Sequence, residues 1–154
     1  MGTTSVGEPD YRLDGNLWEE YALRRLREKY AQKGVAEFVP VPAASQGDLG
    51  IDGYTRTSGV VYQCYAAEHY ANATDLYEHQ RDKVTKDLGK LFDPGKAAEL
   101  AKLLGQGNVI REWILVVPQH RSKQLIQHAN KKAEDLRAGL NRPAFISPDF
   151  VAHI

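Results

Sequence analysis

The sequence has few of the features that mark secreted or membrane-spanning proteins. Cysteine is almost absent: Cys64 is the only one in 154 residues, so no disulfide can form within the chain and a reducing, cytoplasmic compartment is expected. No apolar run reaches the length that spans a bilayer, which predicts no association with membranes. Residues 1–10 are small and polar, and they lack the apolar stretch of a signal peptide.

An excess of charge of one sign is also absent, because 20 basic side chains balance 20 acidic ones. A protein that coats nucleic acid regardless of sequence is usually strongly basic, since its affinity comes from neutralising phosphates. The composition therefore disfavours that class of protein. A neutral chain can still bind nucleic acid, but the contact must then be a local patch.

The length of the chain fits one domain that buries a single continuous core. We predict that domain over residues 15–154, behind a flexible lead-in at 1–14. The sequence contains no repeats and no low-complexity tracts. The last segment, SPDFVAHI, has the pattern of the start of a further element, so we expect this domain to stand at the front of a longer protein.

Hydrophobic periodicity, with glycine and proline as punctuation, predicts the order helix, three strands, two helices, strand, helix, strand. The predicted helices are 17–32, 73–91, 96–104 and 122–140. The predicted strands are 35–41, 49–55, 59–66, 111–117 and 143–146. This α-βββ-α-β order indicates an α/β fold, in which helices flank both faces of a mixed sheet.

Residues able to support chemistry concentrate in the segment GDLGIDGYTRTSGVVYQCYA, which spans 47–66. It carries the turn Ile51-Asp52-Gly53 on one predicted strand and Gln63 on the next, and the first predicted helix adds the pair Trp18-Glu19. This combination resembles the nuclease core of the Mrr-like branch of the PD-(D/E)xK superfamily. That branch has a Gly-Ile-Asp-Gly turn, a following strand with Gln-x-Lys or Glu-x-Lys, and an aromatic-Glu pair on the preceding helix.

The resemblance implies a restriction-endonuclease-like mixed β-sheet core and a divalent-metal-dependent DNA endonuclease domain that hydrolyses phosphodiester bonds. It implies Mg²⁺ or Mn²⁺ as the cofactor and DNA as the partner. It also implies an effector of anti-phage (antiviral) defence, working with a further domain or subunit such as an ATPase or sensor. A homo-oligomer is a further expectation, since many nucleases of this fold dimerise to cut both strands.

The chemistry of the residues agrees with that resemblance. Hydrolysis of a phosphodiester with a divalent cation needs hard oxygen ligands. Asp52 could supply a carboxylate and the backbone carbonyl of Cys64 a second ligand, while Gln63 could bind the metal or orient its water. Gly50 and Gly53 would let the backbone approach a metal or a phosphate closely. The competing interpretation is that these aspartates and glycines only form turns.

The first predicted helix offers an acid that could position the metal-bound water. At about 100° per residue, one broad face of this helix is apolar: Trp18, Ala22, Leu23, Leu26 and Tyr30. Glu19 lies within that arc and Glu20 lies outside it, so Glu19 is the candidate, because a carboxylate on a core-facing stripe needs a partner. Alternatively, Glu19 is simply favoured near a helix start by the helix dipole.

The expected catalytic lysine is missing, because the position two after Gln63 holds Tyr65. That lysine normally stabilises negative charge on the attacking water or the phosphate. The lysine could have migrated to the next helix, where Lys83 lies nearest the buried face while Lys86 and Lys90 are predicted to point outward. A solvated surface charge is the competing interpretation of Lys83. Catalysis could also persist without a lysine, helped by Tyr65 or Glu68, or the site could be inactive.

Three hypotheses for the function therefore stay open. The first is the metal-dependent DNase, with catalytic residues Glu19, Asp52, Gln63 and Lys83. The second is a catalytically degenerate nuclease fold that serves as a nucleic-acid- or partner-binding scaffold. The third is an unrelated α/β binding domain. The five histidines show no metal-ligand spacing, and Cys64 is expected to be a packing residue and not a nucleophile.

Overall fold

The computed structural model describes residues 14–34, 36–42 and 49–154. Its helices are α1 (Gly15–Gln32), α2 (Ala73–Leu91), α3 (Ala97–Leu104) and α4 (Lys123–Arg137), with a 3-10 turn, Pro94–Lys96, before α3. Its strands are β1 (Phe38–Pro40), β2 (Gly53–Thr55), β3 (Val60–Cys64), β4 (Ile110–Val116) and β5 (Ile146–His153). The predicted lead-in, apart from Asp14, lies outside the described residues.

The five strands form one mixed sheet in the order β1-β2-β3-β4-β5. The strands β1, β2 and β3 run antiparallel as a meander, and β3, β4 and β5 run parallel. Parallel neighbours need crossover connections, and α2 with α3 supplies the first crossover while α4 supplies the second. The predicted mixed α/β fold, with its order of elements, is confirmed over the described residues.

Helices cover both faces of the sheet. On one face, the hydroxyl of Tyr62 in β3 lies 2.6 Å from the hydroxyl of Tyr30 in α1. Side chains alternate along a strand, so the neighbouring Val61 faces the other way, where it packs in one core cluster with Val84 of α2 and Ala129 of α4. Among the described residues, no helix is long and apolar enough to cross a membrane.

The strand bounds differ from the predicted ones, most of all in β5 and β2. The last strand was predicted at 143–146, but β5 begins at Ile146 and continues to His153. Pro148 cannot donate to a ladder, but it is tolerated because β5 lies at the end of the sheet and its pairing with β4 is irregular at that point. The strand predicted from residue 49 begins only at Gly53, because Gly50 adopts a φ of 78° that no regular strand contains.

Candidate active site

The site residues predicted from the sequence line the same cavity of about 810 Å³. The cavity lies at the carboxyl end of β3, between the first turns of α1 and the middle of α2. Its lining includes all five residues predicted as catalytic or metal-binding: Glu19, Asp52, Gln63, Cys64 and Lys83. The tertiary structure thus brings together residues that are up to 64 positions apart in the chain, from Glu19 to Lys83.

Asp52 is held at the start of β2 by hydrogen bonds to β3. Its backbone N–H donates to the carbonyl of Tyr62 at 2.7 Å, and its Oδ2 accepts from the backbone N–H of Cys64 at 2.8 Å. The antiparallel register of β2 on β3 ends with Gly53 opposite Tyr62, and Asp52, directly before it, also bonds to Tyr62. Asp52 is therefore held beside β3 by Tyr62 and Cys64, the two residues that flank Gln63.

Gln63 carries a polar atom that the fold leaves unsatisfied. Its side chain is only 4% exposed, and its Oε1 has no hydrogen-bond partner among the described residues. A buried acceptor without a donor costs about 1–3 kcal/mol. Gln63 lines the same cavity as Asp52, and its Oε1 is itself shielded from solvent.

The backbone of Cys64, and not its thiol, is the part of this residue suited to the site. Its N–H points toward Asp52, whereas the N–H of the next residue, Tyr65, donates to Val116 on the opposite side. The Cys64 carbonyl therefore points to the same side as its own N–H, toward Asp52. Burial, with added repulsion from Asp52 and Glu19, raises the pKa of the thiol well above its usual range, which makes it a poor nucleophile.

Glu19 is half-buried on α1, and Glu20 beside it is exposed. The Glu19 carboxylate lines the cavity, and its charge contributes to the raised pKa of the Cys64 thiol. Its position one turn into α1 therefore places a carboxylate across the cavity from the strand residues. Of the two adjacent acids, Glu19, which the helical projection placed within the apolar arc, lines the cavity and Glu20 does not.

Lys83 places an ammonium group against the residue that occupies the expected lysine position. Its Nζ lies 5.6 Å from the centre of the Tyr65 ring and 3.0 Å from Oδ2 of Asp87. Burial raises the pKa of the Tyr65 hydroxyl, so the phenol stays neutral and cannot replace a lysine charge. The cation at this wall of the cavity is therefore supplied by α2.

The prediction that Lys90 points outward is wrong. Its side chain is 15% exposed, less than the 20% of Lys83, and its Nζ lies 3.2 Å from Oδ1 of Asp87. Asp87 is completely buried, and it draws both lysines inward. The helical projection considered each residue alone and missed this shared partner, whereas Lys86 is exposed as predicted.

Further polar side chains line the cavity: Asn16, His69 and His79, which the sequence analysis did not select, and Glu68, which it named only as help for catalysis without a lysine. Glu68 accepts a hydrogen bond from the backbone N–H of Gly15 at 2.8 Å, which joins the loop after β3 to the start of α1. His79 Nε2 lies 3.5 Å from Oδ1 of Asp75. His79 precedes Lys83 by one helical turn, so the choice of Lys83 already placed His79 on the same face.

The loop before Asp52 packs closely against the backbone of α2. Gly50 has a φ of 78°, and a Cβ at this position would lie 2.9 Å from the backbone oxygen of Asp87. The indole N–H of Trp113 donates to the Gly50 carbonyl at 3.4 Å. The close approach of loop and helix therefore requires glycine at this position.

We expect Gly50→Ala to lower the free energy of unfolding by about 2–4 kcal/mol. The left-handed conformation costs an L-residue roughly 1–2 kcal/mol, and the added methyl group meets backbone that cannot move aside cheaply. Urea-induced unfolding measures the change. Gly89→Ala is the matched control, because a Cβ at this helical glycine meets no atom within 4 Å, and it should stabilise by about 0.5–1 kcal/mol. Equal stability of Gly50→Ala and the wild type would contradict a locked loop.

The oxygen donors in the cavity fit a magnesium-type ion better than a zinc-type ion. Among the described residues, no group of three or more His, Cys, Asp or Glu side chains is placed to hold a metal. The cavity-lining residues at β2 and β3 instead offer one carboxylate (Asp52), one carboxamide oxygen (Gln63) and one backbone carbonyl (Cys64). Hard oxygens in small number suit Mg²⁺ or Mn²⁺, because Mg²⁺ keeps several of its waters and takes few protein ligands.

No family model, no curated protein and no solved structure matches this chain. The fold itself is a mixed α/β domain with a five-stranded sheet and helices on both faces.

Proposed function

We propose that the chain is a divalent-metal-dependent DNA endonuclease domain of the PD-(D/E)xK, restriction-endonuclease-like type. The observation that carries the proposal is the unpartnered, buried Oε1 of Gln63, a residue that lines the same cavity as Asp52. An unsatisfied buried oxygen is costly by itself, and its burial becomes favourable where it serves as a ligand of a bound cation. The same cavity contains a second acid and a lysine, which completes the set of groups that phosphodiester hydrolysis needs.

The chemistry of each cavity-lining residue suggests its role in the proposed reaction. Asp52, Gln63 and the Cys64 carbonyl would hold Mg²⁺ or Mn²⁺, and the bound ion supplies Lewis acidity and a lowered pKa for its water. Glu19 accepts a hydrogen bond from the attacking water and orients it. Lys83 places its ammonium where negative charge develops on the phosphate. This division follows the Mrr-like pattern, with the lysine moved from position 65 to α2.

The neutral charge of the chain bears on how such a nuclease would work. With 20 basic and 20 acidic residues, this domain lacks the excess positive charge that would give it a high affinity for DNA by itself. We therefore propose that it acts as the effector of a cytoplasmic anti-phage system, in which a further ATPase or sensor domain or subunit brings DNA to the cavity.

We expect Gln63→Met to stabilise the metal-free protein by about 1 kcal/mol and to abolish its stabilisation by Mg²⁺ or Mn²⁺. Methionine has a similar shape and removes the unsatisfied oxygen, so the cost of burying that oxygen disappears together with the ligand. Thermal unfolding with and without each cation measures both effects, because a ligand that binds only the folded state raises Tm.

Gln80→Met is the matched control for this experiment. Gln80 is also buried, but its Nε2 donates to the carbonyl of Gln119 at 2.7 Å, so its replacement breaks a satisfied bond. This control should destabilise the protein and keep the response to cations. A Gln63→Met protein whose Tm still rises with Mg²⁺ or Mn²⁺ would remove Gln63 from the proposed cation site.

One feature favours the alternative of a catalytically degenerate binding scaffold, namely the tyrosine at position 65. A plasmid-nicking assay with Mg²⁺ or Mn²⁺ separates the two functions. Cation-dependent nicking by the wild type supports the nuclease. Intact DNA together with no cation binding by calorimetry would favour the scaffold over the nuclease, and intact DNA with clear cation binding would point to a missing activating domain.

A further inference from the structure

Asp87 is a completely buried carboxylate on α2, between the cavity and the core. Its Oδ2 lies 3.0 Å from Nζ of Lys83 and its Oδ1 lies 3.2 Å from Nζ of Lys90. Neither oxygen has another hydrogen-bond donor among the described residues. Burial of a charge costs free energy unless the charge is paired, and even a buried ion pair often adds little net stability to the fold. Stability alone therefore does not account for a carboxylate at this position.

The two lysines have different surroundings. Lys83 lines the cavity and lies over the ring of Tyr65, whereas Lys90 is absent from the cavity lining and lies beside Gly50, whose added Cβ would be 3.4 Å from Cβ of Lys90. Asp87 lies between the two ammonium groups, so Lys83 is not its only counter-charge. Lys90 shares the charge of Asp87, so that pairing with Asp87 orients Lys83 and cancels less of its positive charge at the cavity.

We propose that Asp87 is a positioning residue that fixes the Lys83 ammonium at the wall of the cavity, with Lys90 as its charge-balancing partner. Lysine is a flexible side chain with a compact charge, so an ammonium without a fixed partner occupies many positions. Asp87 on one side and the Tyr65 ring on the other restrict Lys83 to one of them. The backbone oxygen of Asp87 also packs against Gly50, so the same residue supports the loop that carries Asp52.

This inference rests on the proposed nuclease function, and its test is a double-mutant cycle on DNA cleavage by the whole chain with Mg²⁺ or Mn²⁺. We expect Asp87→Asn to lower kcat about 10- to 100-fold with KM nearly unchanged, because DNA and cation still bind but the ammonium is misplaced. In a Lys83→Met background, Asp87→Asn should lower the residual kcat no further. Asp82→Asn is the control, since Asp82 is an exposed carboxylate on the same helix that pairs with Arg81.

Asp87→Asn also leaves two lysines facing each other, so the double variant Asp87→Asn/Lys90→Met is included. It removes the repulsion, and we expect it to recover part of the lost kcat. The proposal is overturned if folded Asp87→Asn cuts like the wild type, if it lowers kcat equally with and without Lys83, or if neither variant folds. A wild type that does not cut DNA with either cation overturns this inference, and if it also binds neither cation the proposed function is contradicted with it. Normal cutting by Asp87→Asn contradicts the inference alone.

Discussion

Asp52→Asn is expected to reduce cation-dependent DNA cleavage by about a thousandfold or more. The substitution removes the one aspartate among the described residues that line the cavity, and the loss of a charged metal ligand costs several kcal/mol of transition-state stabilisation. Asparagine keeps an oxygen that can accept the hydrogen bond from the Cys64 N–H, so the fold should persist. Plasmid nicking gives the rate, and calorimetry with Mn²⁺ should show weakened or absent binding.

The control for this substitution is Asp82→Asn, which changes the net charge equally at an exposed position of α2. It should cut DNA at the wild-type rate. If Asp52→Asn binds Mn²⁺ as well as the wild type does, Asp52 is not a metal ligand, and the interpretation of Asp52-Gly53 as a turn would be preferred. Circular dichroism of each variant separates a lost site from a lost fold.

Lys83→Met is expected to lower kcat about 100- to 1000-fold while cation binding stays intact. Removing one preorganised positive group that faces developing charge typically costs this much. Methionine keeps most of the aliphatic length that packs on the Tyr65 ring, so the wall of the cavity should keep its shape. Single-turnover cleavage at saturating Mg²⁺ measures the chemical step.

Lys86→Met, three residues along the same helix, is the matched control for Lys83→Met. Lys86 is exposed and does not line the cavity, so its loss should leave kcat unchanged. Equal losses in both variants would indicate a general effect of helix charge on DNA binding. Unchanged cleavage by Lys83→Met would mean that this site works without a lysine, as the tyrosine at position 65 also allows.

Much of the fold could be predicted because its signals are local. The helix predicted over 73–91 has those bounds in the structure, since Asn72 caps its start and Asp93-Pro94 follows its end. The last strand could not be bounded in this way. Proline ordinarily ends a strand, and only the position of β5 at the end of the sheet makes Pro148 acceptable there.

The candidate site was predictable as a set of residues but not as a set of contacts. Glu19 and Lys83 were identified from their angles on two helices, because a polar residue beside an apolar stripe is visible in the sequence. The inward position of Lys90 was missed, since it depends on a carboxylate that both lysines share. His79 was rejected on spacing alone, although it lies one turn from Lys83 on the cavity side of α2.

The sequence by itself determined the order of helices and strands, the two-faced mixed sheet and the list of candidate residues, because periodicity, capping and turn chemistry act over a few neighbouring positions. Only the tertiary structure decided which of those residues meet. Hydrogen bonds to Tyr62 and Cys64 hold Asp52 beside β3, and the packing of Gly50 on Asp87 fixes the loop before it. These are contacts between distant segments, and their geometry is set by the packing of the whole core, which no local pattern encodes.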